Sequence, residues 1–185
     1  MLTVIVFALA SMGARQHARR ALESGSILLT PVPLLTAATI LGIGLGGFAD
    51  GILLHQILQW HNMLSAKLPP EASTVNKSVN MFWDGIFHFF TLLVTLVGVI
   101  RLWRVSKNKG AAKSGTLLAG GMLLGWGVFN LVEGIIDHQI LKLHNVRELT
   151  RSPEGWNIGF LVFSVLLVVV GVVLSRQYPR QVDRA

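Results

Sequence analysis

Four apolar stretches dominate this chain, each long enough to cross roughly 30 Å of hydrocarbon as a helix. They lie at about 33–60, 80–103, 116–142 and 156–175. Lipid offers no partner to a free peptide group, so a spanning segment must be a helix or part of a closed barrel. Runs of this length read as helices. Charged residues make up only 14% of the 185 residues, against about a quarter in ordinary soluble proteins. The expected fold is therefore an all-α, integral membrane four-helix bundle.

The remaining sequence divides around these spans. Residues 1–32 form an N-terminal arm, 33–103 a first transmembrane hairpin, 104–115 a basic linker, 116–175 a second hairpin and 176–185 a tail. The first eleven residues are apolar but too short to span, and no basic segment precedes them as in a signal peptide. Met12 is the expected true start, with a short interfacial arm as the alternative. The net charge of +7 does not point to nucleic acid, because the basic residues cluster beside apolar runs, where anionic headgroups account for them. With no cysteine in the chain, disulfides and thiolate chemistry are excluded.

Basic residues set the expected orientation. With the N-terminus inside, the inner segments hold Arg15, Arg19, Arg20, Arg101, Arg104, Lys107, Lys109, Lys113, Arg176, Arg180 and Arg184. The outer segments hold only Lys67, Lys77, Lys142, Arg147 and Arg151. Both termini are thus expected in the cytoplasm, with the 61–79 and 143–155 loops outside.

The two hairpins read as copies. DGILLHQILQWHN at 50–62 matches EGIIDHQILKLHN at 133–145 in eight of thirteen positions, at an offset of 83. The match resumes at an offset of 73, pairing Trp83 with Trp156, Asp84 with Asn157, Thr91 with Ser164 and Gly98 with Gly171. Two spans per copy give both copies the same direction, so the repeats are parallel, about a pseudo-two-fold axis along the membrane normal. Glycines spaced four apart, such as Gly42 with Gly46 and Gly121 with Gly125, suit close helix packing in lipid.

The titratable residues need explanation. Asp50, His55, His61, Asp84, His88, Glu133, Asp137, His138 and His144 all fall in or at the ends of spans, where an unpaired charge costs about 3 kcal/mol on insertion scales. Counted at about 1.5 Å per residue, they converge on the outer half of the bundle. On a straight helix Asp50 and His61 fall within about 20° of one another, as do Glu133 and His144, whereas His55 and His138 point about 140° away from Asp50 and Glu133. Either the helix turns at its end, or these histidines face a neighbouring helix.

Three uses of this constellation are open. Imidazole and carboxylate on facing helices suit a transition metal such as iron, copper or zinc. The expected ligands are His55, His61, His88, His138, His144, Glu133 and Asp50, with Asp84, Asp137, Gln56 and Gln139 around them. The histidine pairs could instead hold haem b. Without a metal, the groups form a proton relay or a structural network. Gln56 and Gln139 are expected to hydrogen-bond between helices. No nucleophile and base pair suggests a hydrolase, and Ser78 and Thr91 lack the context for one. The bilayer is the one partner expected; a second copy or a respiratory-type membrane partner is left open.

At FADGILLHQILQWHN, DGIFH and FNLVEGIIDHQILKLHN the sequence resembles an uncharacterised bacterial family of four-helix membrane proteins, a domain of unknown function, over about residues 35–175. The family often carries a second histidine directly after His61 and after His144, where this chain has Asn62 and Asn145. The resemblance implies a bacterial inner (cytoplasmic) membrane location and supplies no activity.

Overall fold

The computed structural model describes residues 27–177 and the short strand Val182–Asp183. The proposed start at Met12, the arm before residue 27, Arg180 and Arg184 lie outside the described residues. Four helices are long and apolar enough to cross a membrane: Val32–Ile57, Thr74–Lys107, Gly115–Ile140 and Pro153–Gln177. These are the four expected spans, the second and fourth extended at both ends.

Helix α1 (Val32–Asp50) enters at Pro31 and Pro33, where a missing N–H is no loss. It runs without a break into a π-helical turn, Gly51–Ile57. Helix α2 (Thr74–Lys107) begins at Ser73, whose side chain accepts the Asn76 N–H, and α3 (Gly115–Glu133) begins at Ser114, which accepts the Leu117 N–H. Both are N-caps that satisfy an otherwise free donor. A second π-helical turn, Gly134–Ile140, continues α3. Helix α4 spans Pro153–Gln177.

Helices α1 and α3 form the central pair, with α2 packed on α1 and α4 on α3. Glycine makes these crossings close. A Cβ on Gly42 would run into the Met122 carbonyl, and one on Gly125 into the Thr39 carbonyl. Thr39 and Gly42 lie 83 positions before Met122 and Gly125, so the crossing is reciprocal. The flanking helices repeat the device: a Cβ on Gly98 would meet the Leu41 backbone, and one on Gly171 the Leu124 backbone. Backbones in such contact gain van der Waals packing where lipid supplies no hydrophobic drive. The outward faces of α2 and α4 expose Phe82, Phe89, Phe90, Leu166 and Val169, the surface acyl chains solvate.

The two ends of the bundle differ. At one end Ile27–Leu28 pairs antiparallel with Val182–Asp183, and Thr30 bridges the 108–114 linker through Gly110 and Ala112. A small core of Leu34, Ala37, Val105, Ala111, Ala112 and Leu117 closes that end. The opposite end carries the π-helical turns, the two longer loops and nearly all of the buried polar groups.

Candidate metal centre

The site is assembled by the two helix ends. In a π-helix, residues five apart in sequence are bridged by hydrogen bonds and brought to one face. Leu58 N–H accordingly bonds the Leu53 carbonyl at 2.8 Å, and Leu141 N–H the Ile136 carbonyl at 2.8 Å. The widened turn carries His55 round onto the side of Asp50, five residues earlier, so that His55 Nε2 lies 3.1 Å from Asp50 Oδ2. A straight α-helix would have held them apart. Of the two arrangements the sequence left open, the helix end itself turns.

The chain then reverses. Gln59 and Lys142 adopt positive φ, 49° and 50°, and Trp60 and Leu143 N–H close on the Leu54 and Asp137 carbonyls. The reversal drives His61 and His144 back into the bundle, where their residues are 2% and 0% exposed.

The result is a cluster of four imidazoles. His61 and His144 stack with ring centroids 4.5 Å apart and 9° between planes. His55 stands edge-on to His61 at 4.5 Å, and His138 edge-on to His144 at 4.7 Å. The diagonals, His55 to His144 and His61 to His138, are both 6.1 Å. Asp50 and Glu133, both buried, adjoin one another at the base of the cluster. His61 Nε2 is 3.9 Å from Asp50 Oδ2 and His138 Nε2 is 4.0 Å from Glu133 Oε1. Two groups of ligand atoms lie close enough to share an ion: Asp50, His55 and His61; and His61, Glu133 and His144.

Surrounding groups orient the first pair of rings. His55 Nδ1 lies 3.1 Å from Asp84 Oδ1, and Asp84 is itself fixed by Asn62 Nδ2 at 2.6 Å and the Met63 N–H at 2.9 Å. His61 Nδ1 donates to the Val146 carbonyl at 2.8 Å. Both rings therefore turn Nε2 inward with Nδ1 anchored, the usual arrangement behind a histidine ligand. Asn157 stands opposite Asp84 and holds the second loop, accepting the Val146 N–H and donating to Asn145 Oδ1, each at 2.9 Å. Glu148 ties the loops together, taking bonds from Asn145 and from Ser65 of the other loop.

Burial keeps the loop imidazoles neutral. It pushes His61 down to about 4, against a partial pull upward from Asp50. It pushes His144 well below the ordinary imidazole range, helped by the neighbouring histidines. A neutral ring is the form that coordinates a cation. Other polar atoms facing the centre lack partners: Asp50 Oδ1, Glu133 Oε2, His61 Nε2 and both ring nitrogens of His138 and His144 have no hydrogen bond of good geometry. An unsatisfied buried polar atom costs about 1–3 kcal/mol, a cost that a cation or protons at the centre would offset.

Of the expected ligands, His55, His61, His138, His144, Asp50 and Glu133 meet here. His88 does not join them: its Nδ1 donates to the Asp84 carbonyl at 2.6 Å and its ring lies over Gly51, beside Phe48 and Phe87. Asp137 is half-buried at the edge. Gln56 and Gln139 differ from expectation: both are exposed and make no hydrogen bond among the described residues. They fall on the outer side of the same π-helical turns that carry His55 and His138 inward. The sequence reading missed Val146, whose carbonyl is the anchor of His61; a backbone acceptor leaves no signal in residue type.

A model of the family described as "Predicted membrane protein (DUF2243)" matches residues 37–178. No curated protein and no solved structure matches the chain.

Proposed function

Because the chain belongs to this family of predicted membrane proteins of unknown function, we propose from its side chains that it binds one divalent first-row metal ion between α1 and α3. The observation that carries the reading is the convergence of four buried imidazoles and two carboxylates with most of their inward atoms unpartnered. His61 Nδ1 is committed to Val146, so His61 offers Nε2 alone and can serve a single ion. That ion takes His61 and His144 with Asp50 and Glu133, and His55 stands beside it. Nitrogen and oxygen donors without sulfur favour iron or zinc, with copper(II) also compatible. The ion would supply Lewis-acid or redox chemistry; the chain supplies a water-poor pocket and fixed ligand orientations.

Electrostatics supports the same reading. His55 Nδ1 faces Asp84 while Nε2 faces Asp50. A lone pair opposite a carboxylate oxygen is repulsive, so positive charge belongs there, as a proton on Nε2 or as a metal. The proton version is the second reading, a relay along Asp84, His55 and Asp50. Haem is disfavoured, because rings already packed at 4.5 to 6.1 Å leave no slot for a macrocycle. On this reading the site lies at the outer face of a bacterial inner membrane with both termini cytoplasmic; the basic-residue bias supports the orientation, and the family resemblance the membrane.

Elemental analysis and an absorption spectrum of the detergent-purified protein test the proposal. The expected result is about one metal ion per chain and no Soret band, with the metal lost in His61→Ala and in His144→Ala. A Soret band, or metal-free protein that keeps its melting temperature on adding iron or zinc, would overturn it. In the metal-free case, proton uptake that depends on His55 would establish the relay instead.

A further inference from the structure

Beside the cluster, α1 and α4 part to leave a lateral groove over α3 of about 670 Å³, within the roughly 300–1,000 Å³ of small-molecule sites. Its walls are aromatic, with Trp60, Trp126, Trp156, Phe160 and Phe163. The groove is not uniformly apolar. Asp50 and Asn130 line its floor, and both are buried, at 5% and 2% exposure. Asp50 Oδ1 and Asn130 Oδ1 lack hydrogen-bond partners, while Asp50 Oδ2 faces His55 Nε2 at 3.1 Å, and the Asn130 amide makes no hydrogen bond among the described residues. An acyl chain filling the groove would leave these atoms unsatisfied. A ligand that fits must be flat enough for the aromatic walls, apolar enough to arrive through lipid, and able to hydrogen-bond at its inner end.

We infer that this groove binds a lipid-soluble hydroxylated arene of the quinol class, its ring between Trp126, Trp156 and Phe160 and a hydroxyl on Asp50 and Asn130. A hydroxyl donates to the carboxylate and also accepts from the amide, which suits both groups at once. The Arg147 guanidinium lies 5.1 and 5.4 Å from the Trp60 and Trp156 rings and steadies the aromatic wall near the loops. The site stands on the groove and its free polar atoms, and does not need the metal to be present. Asp50 belongs to both sites, so a bound ring would place its hydroxyl next to the ion.

The test is anaerobic titration of the protein in nanodiscs with decylhydroquinone, read by tryptophan quenching, against its dimethyl ether, which has no hydroxyl. Saturable quenching is expected from the quinol, with at least tenfold weaker binding of the ether. Gly159 lines the groove and a Cβ there meets nothing within 4 Å, so a larger side chain can start from that position, and Gly159→Phe is the variant expected to block the groove. Binding should disappear in that variant while melting temperature and metal content stay at wild-type levels. Asn130→Leu should weaken the quinol at least tenfold and leave the ether unchanged. Equal binding of quinol and ether, or quenching that rises linearly without saturation and is the same in Gly159→Phe, would overturn the inference and leave the groove to lipid chains. Because Gly159 touches no metal ligand, loss of quinol binding there with metal retained separates this outcome from failure of the metal reading.

Discussion

In the first half of the cluster, Asp84 and the Val146 carbonyl anchor the Nδ1 atoms of His55 and His61; in the second half neither ring nitrogen of His138 or His144 has a hydrogen-bond partner of good geometry. The backbones of the halves nevertheless agree turn for turn. Each has a seven-residue π-helical turn, the same capping bonds and a positive φ at the same place. One sequence difference falls on an anchor: Asn157 stands where the first half has Asp84. A shared scaffold with unequal support implies unequal ligands. On the proposed metal reading, the first half would meet an ion with its imidazoles already oriented, and the second half would have to turn its rings to meet it.

The largest test of that comparison removes one ring from the shared stack. His61→Ala takes away the only histidine common to both ion-competent groups, and metal content should fall from about one ion per chain to near zero by elemental analysis. His88→Ala should leave metal content unchanged, because His88 lies outside the cluster over Gly51. Metal lost equally in both variants would mean that the content follows folding and not ligation.

The next effect separates the halves. Asp84→Asn removes the charge behind His55, which stands beside the proposed ion against its ligand Asp50, and should lower metal affinity by about 10-fold, the low end of the loss typical of outer-shell partners. Asn157→Ala instead breaks two loop bonds. It should cost about 1–3 kcal/mol of stability through the unpaired Val146 N–H, seen as a lower melting temperature, with metal affinity within about threefold of wild type after metal reloading. Equal losses of affinity in the two variants would show that the halves support the ion alike.

Much of this arrangement could be read before any coordinates. The spans follow from hydropathy, since a chain in lipid has few choices of secondary structure. Depth counting brought the histidines and carboxylates to one level, and it placed Asp84 beside them. The partnership of Asp50 with His55 could not be read, because a wheel at 100° per residue assumes a uniform α-helix and both helices change pitch after Asp50 and Glu133. The same change explains why Gln56 and Gln139, polar and adjacent to ligands, turn outward. Nor could residue type indicate that the loops fold back to bury His61 and His144, because that depends on two left-handed residues that are not glycine.

Those two residues give the smallest and most symmetrical prediction. Gln59 and Lys142 hold φ at 49° and 50°, a region that costs an L-residue with a Cβ about 1–2 kcal/mol. Glycine relieves that strain but loses more entropy on folding, by about 0.5–1 kcal/mol. Each of Gln59→Gly and Lys142→Gly should therefore stabilise the protein by at most about 1.5 kcal/mol, a rise of no more than about 3–6 °C in melting temperature for a chain of this size. Both side chains are exposed, so metal content should not change. The two effects should match, because the strain belongs to the scaffold the halves share and not to the anchors on which they differ. A gain in one variant with a clear loss in the other would place an inequality in the backbone as well as in the side chains.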